Sequence, residues 1–256
     1  MSHFKQQLQA GKTLFGTLLS LGVPVGAEVL SRVGFDWLWI DMEHAPLTLE
    51  QVQQMLQAKN ADCPAFVRIP SNDEVWIKRV LDLGADGIIV PQVKTKDEAQ
   101  RAVAASKYPP EGVRSAGVAR AHGYGMDFAR YVERANQSLS IILQIEHVEA
   151  VKNIDAIVSV KGVDALIIGP YDLSGSFGKL GEIAAPEMLK AMETVLQSCK
   201  KHGLPIGIFA LQPQQAKTYA KAGYQLIAMG IDVHFMWTAA KAALEIAQSP
   251  KVEDSI

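Results

Sequence analysis

The sequence predicts an α/β protein in which eight short strands alternate with helices and close into a single (β/α)8 TIM barrel spanning residues 1–256. Three observations carry that expectation. Apolar runs of strand length recur eight times, nearly all with a helical stretch behind them. The chain has 256 residues, and about 250 is usual for such a barrel. A faint repeat, Gly34-Phe35-Asp36, Gly84-Ala85-Asp86, Gly162-Val163-Asp164 and Gly223-Tyr224-Gln225, opens strands two, four, six and eight. A glycine just past a helix end is a common C-cap, and the even-numbered parity suits a closed ring whose alternate strands fill alternate layers.

In order, residues 3–10 form an extra N-terminal amphipathic helix ended by Gly11, and Leu14–Ser20 is the first strand. Pro24 opens a helix carrying Ala27, Val29, Leu30 and Val33 on its apolar positions. The second strand, Phe35 to Asp41, is apolar on both faces, as strands covered by helices are. Thr48 then caps a helix running to about Lys59, with Gln51 at its third position. Strands follow at Cys63–Ile69 and Asp86–Val93, with helices at Asp73–Leu83 and Lys96–Lys107. A Gly-rich loop over 111–125, a helix over about 127–136, the strand Leu139–Glu146 and a short helix from 148 come next. Strand six, Val163–Gly169, leads into a Gly-dotted loop over 174–186, and the helix Pro186–His202 follows. Pro205–Ala210, Pro213–Ala222, Gln225–Gly230 and an Ala-rich helix over 235–247 complete the alternation. Both Gly-rich stretches read as loops of the catalytic rim rather than as domain boundaries.

A formal net charge of −2 without basic runs argues against nucleic acid or an acidic membrane as partner. Cys63 and Cys199 lack metal-type spacing, and no apolar run approaches the ~20 residues of a membrane span. The N-terminus lacks the apolar segment of a signal peptide, so the expectation is a cytoplasmic protein.

In a barrel the active groups gather where strands end. Strand two ends in Asp41, Glu43 and His44, strand three in Arg68, strand four in Pro91-Gln92, and strand five in Gln144-Ile145-Glu146. Gly169-Pro170-Tyr171-Asp172 follows strand six, whereas strands seven and eight end blandly in Phe209-Ala210 and Met229-Gly230. Glu146 and Asp172, on neighbouring strands ~5 Å apart, either share a hard divalent cation or divide their work, one pairing with Arg68 or a lysine and the other capping a turn. Asp41 is placed to orient the ring of His44, and Arg68 needs Glu43 or a bound anion. His122, Arg114 and Arg120, in the 111–125 loop, read as solvated side chains.

The stretches Asp36–Pro46, Val67–Asp73, Leu81–Gly84, Ile89–Val93, Gln144–Glu146 and Ile168–Ser174 together resemble the HpcH/HpaI family of metal-dependent pyruvate aldolases, over about residues 10–245. The resemblance implies reversible cleavage of a 4-hydroxy-2-oxo acid to pyruvate and an aldehyde. It implies Mg²⁺ or Mn²⁺, with Co²⁺ as an alternative, held by Glu146 and Asp172. Gln144 and the backbone around Tyr171 and Asp172 would hold pyruvate, Arg68 the enolate oxygen, and His44 would be the base. Asp41, with Asp82 from a neighbouring subunit, would tune His44. It further implies a homohexamer, a trimer of dimers, with the C-terminal helix exchanged between partners. Tyr171 departs from the Ala or Ser often found there in the family, which leaves the aldehyde side open.

Other readings compete. A Schiff-base aldolase needs a strand-end lysine facing the mouth, and the strands offer none. A related metal-dependent lyase or mutase acting on a malate-like or acyl-CoA substrate would share the metal ligands. An inactive scaffold would carry its buried charges at a loss of stability.

Overall fold

In a computed structural model, which describes residues 1–249, eight parallel strands pair in sequence order and β8 returns to β1, closing the ring. The strands are β1 (Leu14–Leu19), β2 (Trp37–Asp41), β3 (Ala65–Arg68), β4 (Gly87–Val90), β5 (Ser140–Ile145), β6 (Ala165–Ile168), β7 (Ile206–Ala210) and β8 (Leu226–Ile231). Helix α1 (His3–Gln9) precedes them; α2 (Pro24–Val33), α3 (Leu49–Ala58), α4 (Glu74–Asp82) and α5 (Lys96–Ser106) follow the first four strands. A 3₁₀ segment (Arg120–Gly125) and α6 (Phe128–Ser138) lead into β5. The circuit finishes with α7 (Val148–Lys152), α8 (Ile154–Val158), α9 (Pro170–Ser176), α10 (Pro186–His202), α11 (Pro213–Ala222) and α12 (Asp232–Gln248). No described helix is long and apolar enough to cross a membrane.

Local sequence sets the helix ends. Thr48 and Thr95 each accept the N–H of the residue three on, and Gln51 and Glu98 return the bond to the cap backbone. Asp73 caps α4, and proline starts α2, α9, α10 and α11, where its missing N–H is no loss.

The Gly-X-Asp repeat has a structural purpose. Asp36 accepts the N–H of Phe15 at 2.8 Å, Asp86 that of Ala65 at 2.9 Å, and Asp164 that of Ile141 at 2.9 Å. Each aspartate just before an even strand therefore ties down the opening residues of the odd strand before it. The fourth copy carries Gln225, whose side-chain amide donates to the carbonyl of Leu8 on α1 instead.

Apolar side chains pack on both sides of the strands. One cluster fills the interior, with Trp37, Trp39, Phe66, Ile89, Ile142 and Ile167 stacked above Phe4 and Leu8 of α1. Phe4 meets Phe66 at 4.6 Å between ring centroids, so α1 plugs the bottom of the barrel. The indole of Trp37 lies where a side chain on Gly16 would be, only 2.3 Å from an ideal Cβ, so the glycine admits the tryptophan. The larger cluster lies between strands and helices, as a barrel requires.

Three expectations change. The 111–125 stretch lies at the bottom, not on the catalytic rim, because α5 has already returned the chain there; Arg120 donates to the carbonyl of Leu83 at the end of α4. Of the 174–186 loop, the first residues belong to α9, begun by Pro170. On α2 the expected apolar face is divided. Ala27 is buried, but Val25, Val29 and Val33, one turn apart, are exposed. Helix α12 buries only Asp232, and from Thr238 to its end every residue is exposed in the single chain.

Candidate active site

The site grows out of strand ends on one arc of the ring. Asp41 is the last residue of β2 and Arg68 the last of β3, at paired register positions. The Arg68 guanidinium donates to both Asp41 carboxylate oxygens, at 2.9 Å and 2.6 Å, and lies 3.1 Å from Glu43. It also reaches the Gln144 side-chain oxygen at 3.4 Å and covers the Trp39 ring at 5.0 Å. Asp41, Arg68, Gln144 and Trp39 are buried, and Glu43 is partly buried.

Asp41 is thereby spent on Arg68 and on the backbone. It also accepts the N–H groups of Glu43 and His44, at 3.0 Å and 3.4 Å, and so shapes the turn on which the histidine rides. The His44 ring is not held by Asp41 in this arrangement. It stands open to solvent, its Nε2 3.7 Å from a Glu43 oxygen. The expected partner for Arg68, Glu43, is there, and the unexpected one, Asp41, is closer.

Glu146 follows β5 and lies against Gln144 and Gly169. The Gln144 amide donates to one of its oxygens, and the Gln92 N–H donates to the other at 2.7 Å. Gln92 adopts φ 57°, a left-handed conformation uncommon outside glycine, and this turns its N–H toward the carboxylate. An ideal Cβ on Gly169 would come within 2.8 Å of the Gln144 amide and 3.0 Å of the Glu146 carboxylate, so the glycine makes room for both. Asp172 sits in the first turn of α9, one strand over. Sequence reasoning placed Gln92 and Gly169 at strand ends but gave neither a role: nothing in a strand-end pattern marks a glutamine for a left-handed backbone.

Burial pushes the Glu43 carboxyl up to about 7, with Arg68 pulling it down and Asp41 and Asp172 adding to the rise. Burial likewise lifts Glu146 to about 7, opposed by the Gln92 N–H and reinforced by Glu43 and Asp172. Glu43, Glu146 and Asp172 thus feel one another as like charges, with Arg68 the cation among them. One Glu43 oxygen is buried without an aligned hydrogen bond. Crowded carboxylate oxygens short of positive charge, with neither thiolate nor imidazole among the donors, are the chemistry of a site for a hard divalent cation. The described residues contain no group of three acidic, His or Cys side chains set as a complete cage. The residues fit a metal that fills its remaining positions with water and substrate.

A cavity of about 330 Å³ opens above these groups, with Asp41, His44, Arg68, Gln144, Tyr171 and Asp172 among its walls. Asp82 is elsewhere. It ends α4 at the bottom of its own barrel, where Arg114 holds it at 2.7 Å. Arg114 and His122, expected to be solvated, are buried: Arg114 lies over the Tyr108 ring at 4.6 Å, and His122 bonds the Tyr108 hydroxyl at 2.8 Å.

A parallel barrel with carboxylates, a guanidinium and an imidazole gathered at its strand ends carries them where barrel enzymes carry their active sites. The family model described as HpcH/HpaI aldolase/citrate lyase matches residues 16–239, and the chain belongs to this family. It is 38% identical over 232 residues to a 5-keto-4-deoxy-D-glucarate aldolase of Escherichia coli O139:H28, covering 90% of each chain. An HpcH/HpaI aldolase/citrate lyase family protein from Burkholderia cenocepacia J2315 superposes with a TM-score of 0.94 at 37% identity, covering 97% of this chain and 100% of that one. An HpcH/HpaI aldolase from Desulfitobacterium hafniense DCB-2 gives 0.88 at 32% identity, over 98% of both. The chain is an aldolase, a carbon–carbon lyase, of a family that depends generally on divalent metal.

Proposed function

We propose that this aldolase reversibly cleaves a 4-hydroxy-2-oxo acid to pyruvate and an aldehyde, with Glu146 and Asp172 as ligands for Mg²⁺ or Mn²⁺. The observation that carries the reading is the crowding of carboxylates at the strand ends: Arg68 lies 2.6 Å from Asp41 and 3.1 Å from Glu43, and Gln144 bridges it to Glu146. When bound, the divalent ion supplies positive charge that polarises the keto group of the substrate.

The protein's own groups do the rest. Cleavage breaks the C3–C4 bond. His44 takes the proton of the C4 hydroxyl, directly or through a water, and the hydroxyl oxygen becomes the aldehyde carbonyl. The electron pair passes to the pyruvate enolate, which takes a proton at C3 from the protonated base or its water, so that His44 is regenerated. Arg68, fixed by Asp41 and Glu43, presents its charge where the enolate oxygen becomes negative, without reorganising at the moment of reaction. Gln144 and the backbone around Tyr171 and Asp172 hold the carboxylate end of pyruvate. The exposed position of His44 suits a base that must meet the hydroxyl at the mouth and return to solvent.

The same reading includes assembly. The exposed length of α12 and the valine stripe on α2 leave apolar surface that a second copy would cover. We take the chain to work as a single catalytic domain within a cytoplasmic homohexamer, a trimer of dimers that exchanges α12. In it, Asp82 of the partner subunit approaches His44, which its place at the bottom of its own barrel forbids within one chain. Exchange of the pyruvate methyl protons with solvent deuterium, followed by NMR, tests the chemistry. Exchange that requires Mg²⁺ or Mn²⁺ and is lost in Arg68→Ala is expected. Exchange that persists in excess chelator, or a borohydride-trapped adduct with pyruvate, would refute it.

A further inference from the structure

The last residue of α4 is a carboxylate in an unfavourable place. Asp82 stands at the helix C-terminus, where the peptide dipoles already concentrate negative charge and a cation is preferred. The chain compensates from a distance. Arg114, 32 residues on, donates from Nη2 to Asp82 Oδ1 at 2.7 Å, and its own side chain is fully buried. The guanidinium carbon lies 4.6 Å and 5.7 Å from the ring centroids of Tyr108 and Tyr131, and the Tyr131 hydroxyl accepts from Nη1 at 3.4 Å. His122 closes the box, bonded to the Tyr108 hydroxyl and edge-on to Tyr131.

A second arginine fixes the adjoining backbone. Arg120 donates to the Leu83 carbonyl at 2.6 Å, and an ideal Cβ on Gly84 would fall 2.6 Å from the same nitrogen, so the glycine clears its path. Both the end of α4 and the acid it carries are therefore held by the 111–125 segment.

The stability of one chain does not account for this arrangement. A buried guanidinium is costly to desolvate, and Arg114 Nε is left without a hydrogen-bond partner. An apolar side chain between the two tyrosines, with no acid at the helix end, would avoid both costs. What the arrangement delivers is a carboxylate with a fixed direction. Oδ1 is tied to Arg114, Asp82 keeps 19% of its side chain accessible, and no hydrogen bond from the described residues reaches Oδ2.

We propose that Arg114 is a positioning residue for the active site of the neighbouring copy: it aims Asp82 outward, so that the free oxygen meets the partner subunit's His44 in a single orientation. The inference rests on the assembly proposed above, in which Asp82 crosses the interface, and adds the group that holds it there. Arg114 touches neither substrate nor metal and acts only through that carboxylate.

The test follows exchange of the pyruvate methyl protons in the full-length Mg²⁺-loaded enzyme, a step in which His44 or its water moves the proton. Arg114→Met and Asp82→Asn should each lower the maximal rate by ~10-fold and leave the half-saturating pyruvate concentration within about 2-fold, as a misaimed group does. The double variant should be no slower than the slower single one, because the two residues act as a unit. Arg114→Lys keeps the charge without the planar fork and should recover part of the loss. Should Arg114→Met fail to assemble, Arg114→Lys carries the comparison: a lowered maximal rate, with no further loss when Asp82→Asn is added.

Mixed assemblies made by co-expression locate the pair. Arg114→Met with His44→Ala should exchange severalfold faster than the mean of the two parents, since some interfaces then join an intact His44 to an intact Arg114 and Asp82. Arg114→Met with Asp82→Asn should gain nothing. An unchanged maximal rate in the Arg114 variants, or a double variant slowed by the product of the two single losses, overturns the inference and leaves the assembly standing. If Asp82→Asn with His44→Ala also gains nothing, the assembly itself falls, and the role of Arg114 with it.

Discussion

At the bottom of the barrel, Asp36, Asp86 and Asp164 each accept a backbone N–H from the preceding strand, and lysines stand beside two of them: Lys59 at 3.3 Å from Asp86, Lys5 at 2.7 Å from Asp164. At the top, Asp41, Glu43 and Glu146 gather near one guanidinium, with Asp172 lining the same cavity, and Glu43 and Glu146 are pushed far from the ordinary carboxylate range. The same residue types therefore do opposite things. Below, carboxylates complete the backbone's hydrogen bonding and hold the ring together. Above, they are gathered in excess of available positive charge, which leaves a place for a cation at the expense of stability.

Four experiments would break or sharpen that contrast. The largest effect belongs to the top. Arg68→Ala and His44→Ala should each lower aldol cleavage by at least ~10²-fold, the scale of a lost oxyanion or acid–base group. Steady-state turnover near that of the unsubstituted enzyme in either variant would remove that residue's assigned role. Next, Gly169→Ala should weaken divalent metal binding by ~10–100-fold, as disturbed supports of a metal ligand do. Its new methyl would press on Gln144 and Glu146, and calorimetric titration with Mn²⁺ reads the change directly.

The bottom predicts the reverse signature. Asp164→Ala leaves the Ile141 N–H unsatisfied and Lys5 without its acid, so it should lower stability by ~1–3 kcal/mol. Its kcat should hold, and a fall in kcat without a shift in the denaturant midpoint would erase the division of labour.

The smallest effect concerns pH. Glu43 and Glu146 are raised from 4.5 to about 7, so between those values the folded metal-free protein binds more protons than the unfolded chain. Their contribution is complete below about 4.5 and is lost as pH rises through 7. Thermal melts in chelator should therefore show Tm falling across this window, less steeply in Glu43→Gln, and saturating Mn²⁺ should flatten the fall. A Tm that rises across the window, with the same slope in Glu43→Gln, would count against the crowded-carboxylate picture.

How much of this could be read from residues alone depended on distance along the chain. Strand ends are local, and so Asp41, Glu43, His44, Arg68, Gln144, Glu146 and Asp172 were visible as polar interruptions of apolar runs. The ring closure was visible in the count and parity of strands. Side-chain partners are not local: that Arg68 prefers Asp41 to Glu43 follows from the paired register of β2 and β3. The 111–125 stretch misled because Gly-richness says nothing about which end of a barrel a loop occupies; the direction of α5 decides that. Arg114 and His122 looked solvated because Tyr108, Tyr131 and Phe128, which enclose them, are gathered by the fold.

Helix α1, with Phe4 and Leu8 driven into the base of the barrel, leaves the reaction chamber with a single doorway. Whatever binds deepest is the first to arrive and the last to depart. With pyruvate seated over Arg68 and Gln144 and the aldehyde nearer the opening, the two products would leave in a fixed sequence. Free pyruvate would then compete with the uncleaved substrate for the vacated floor.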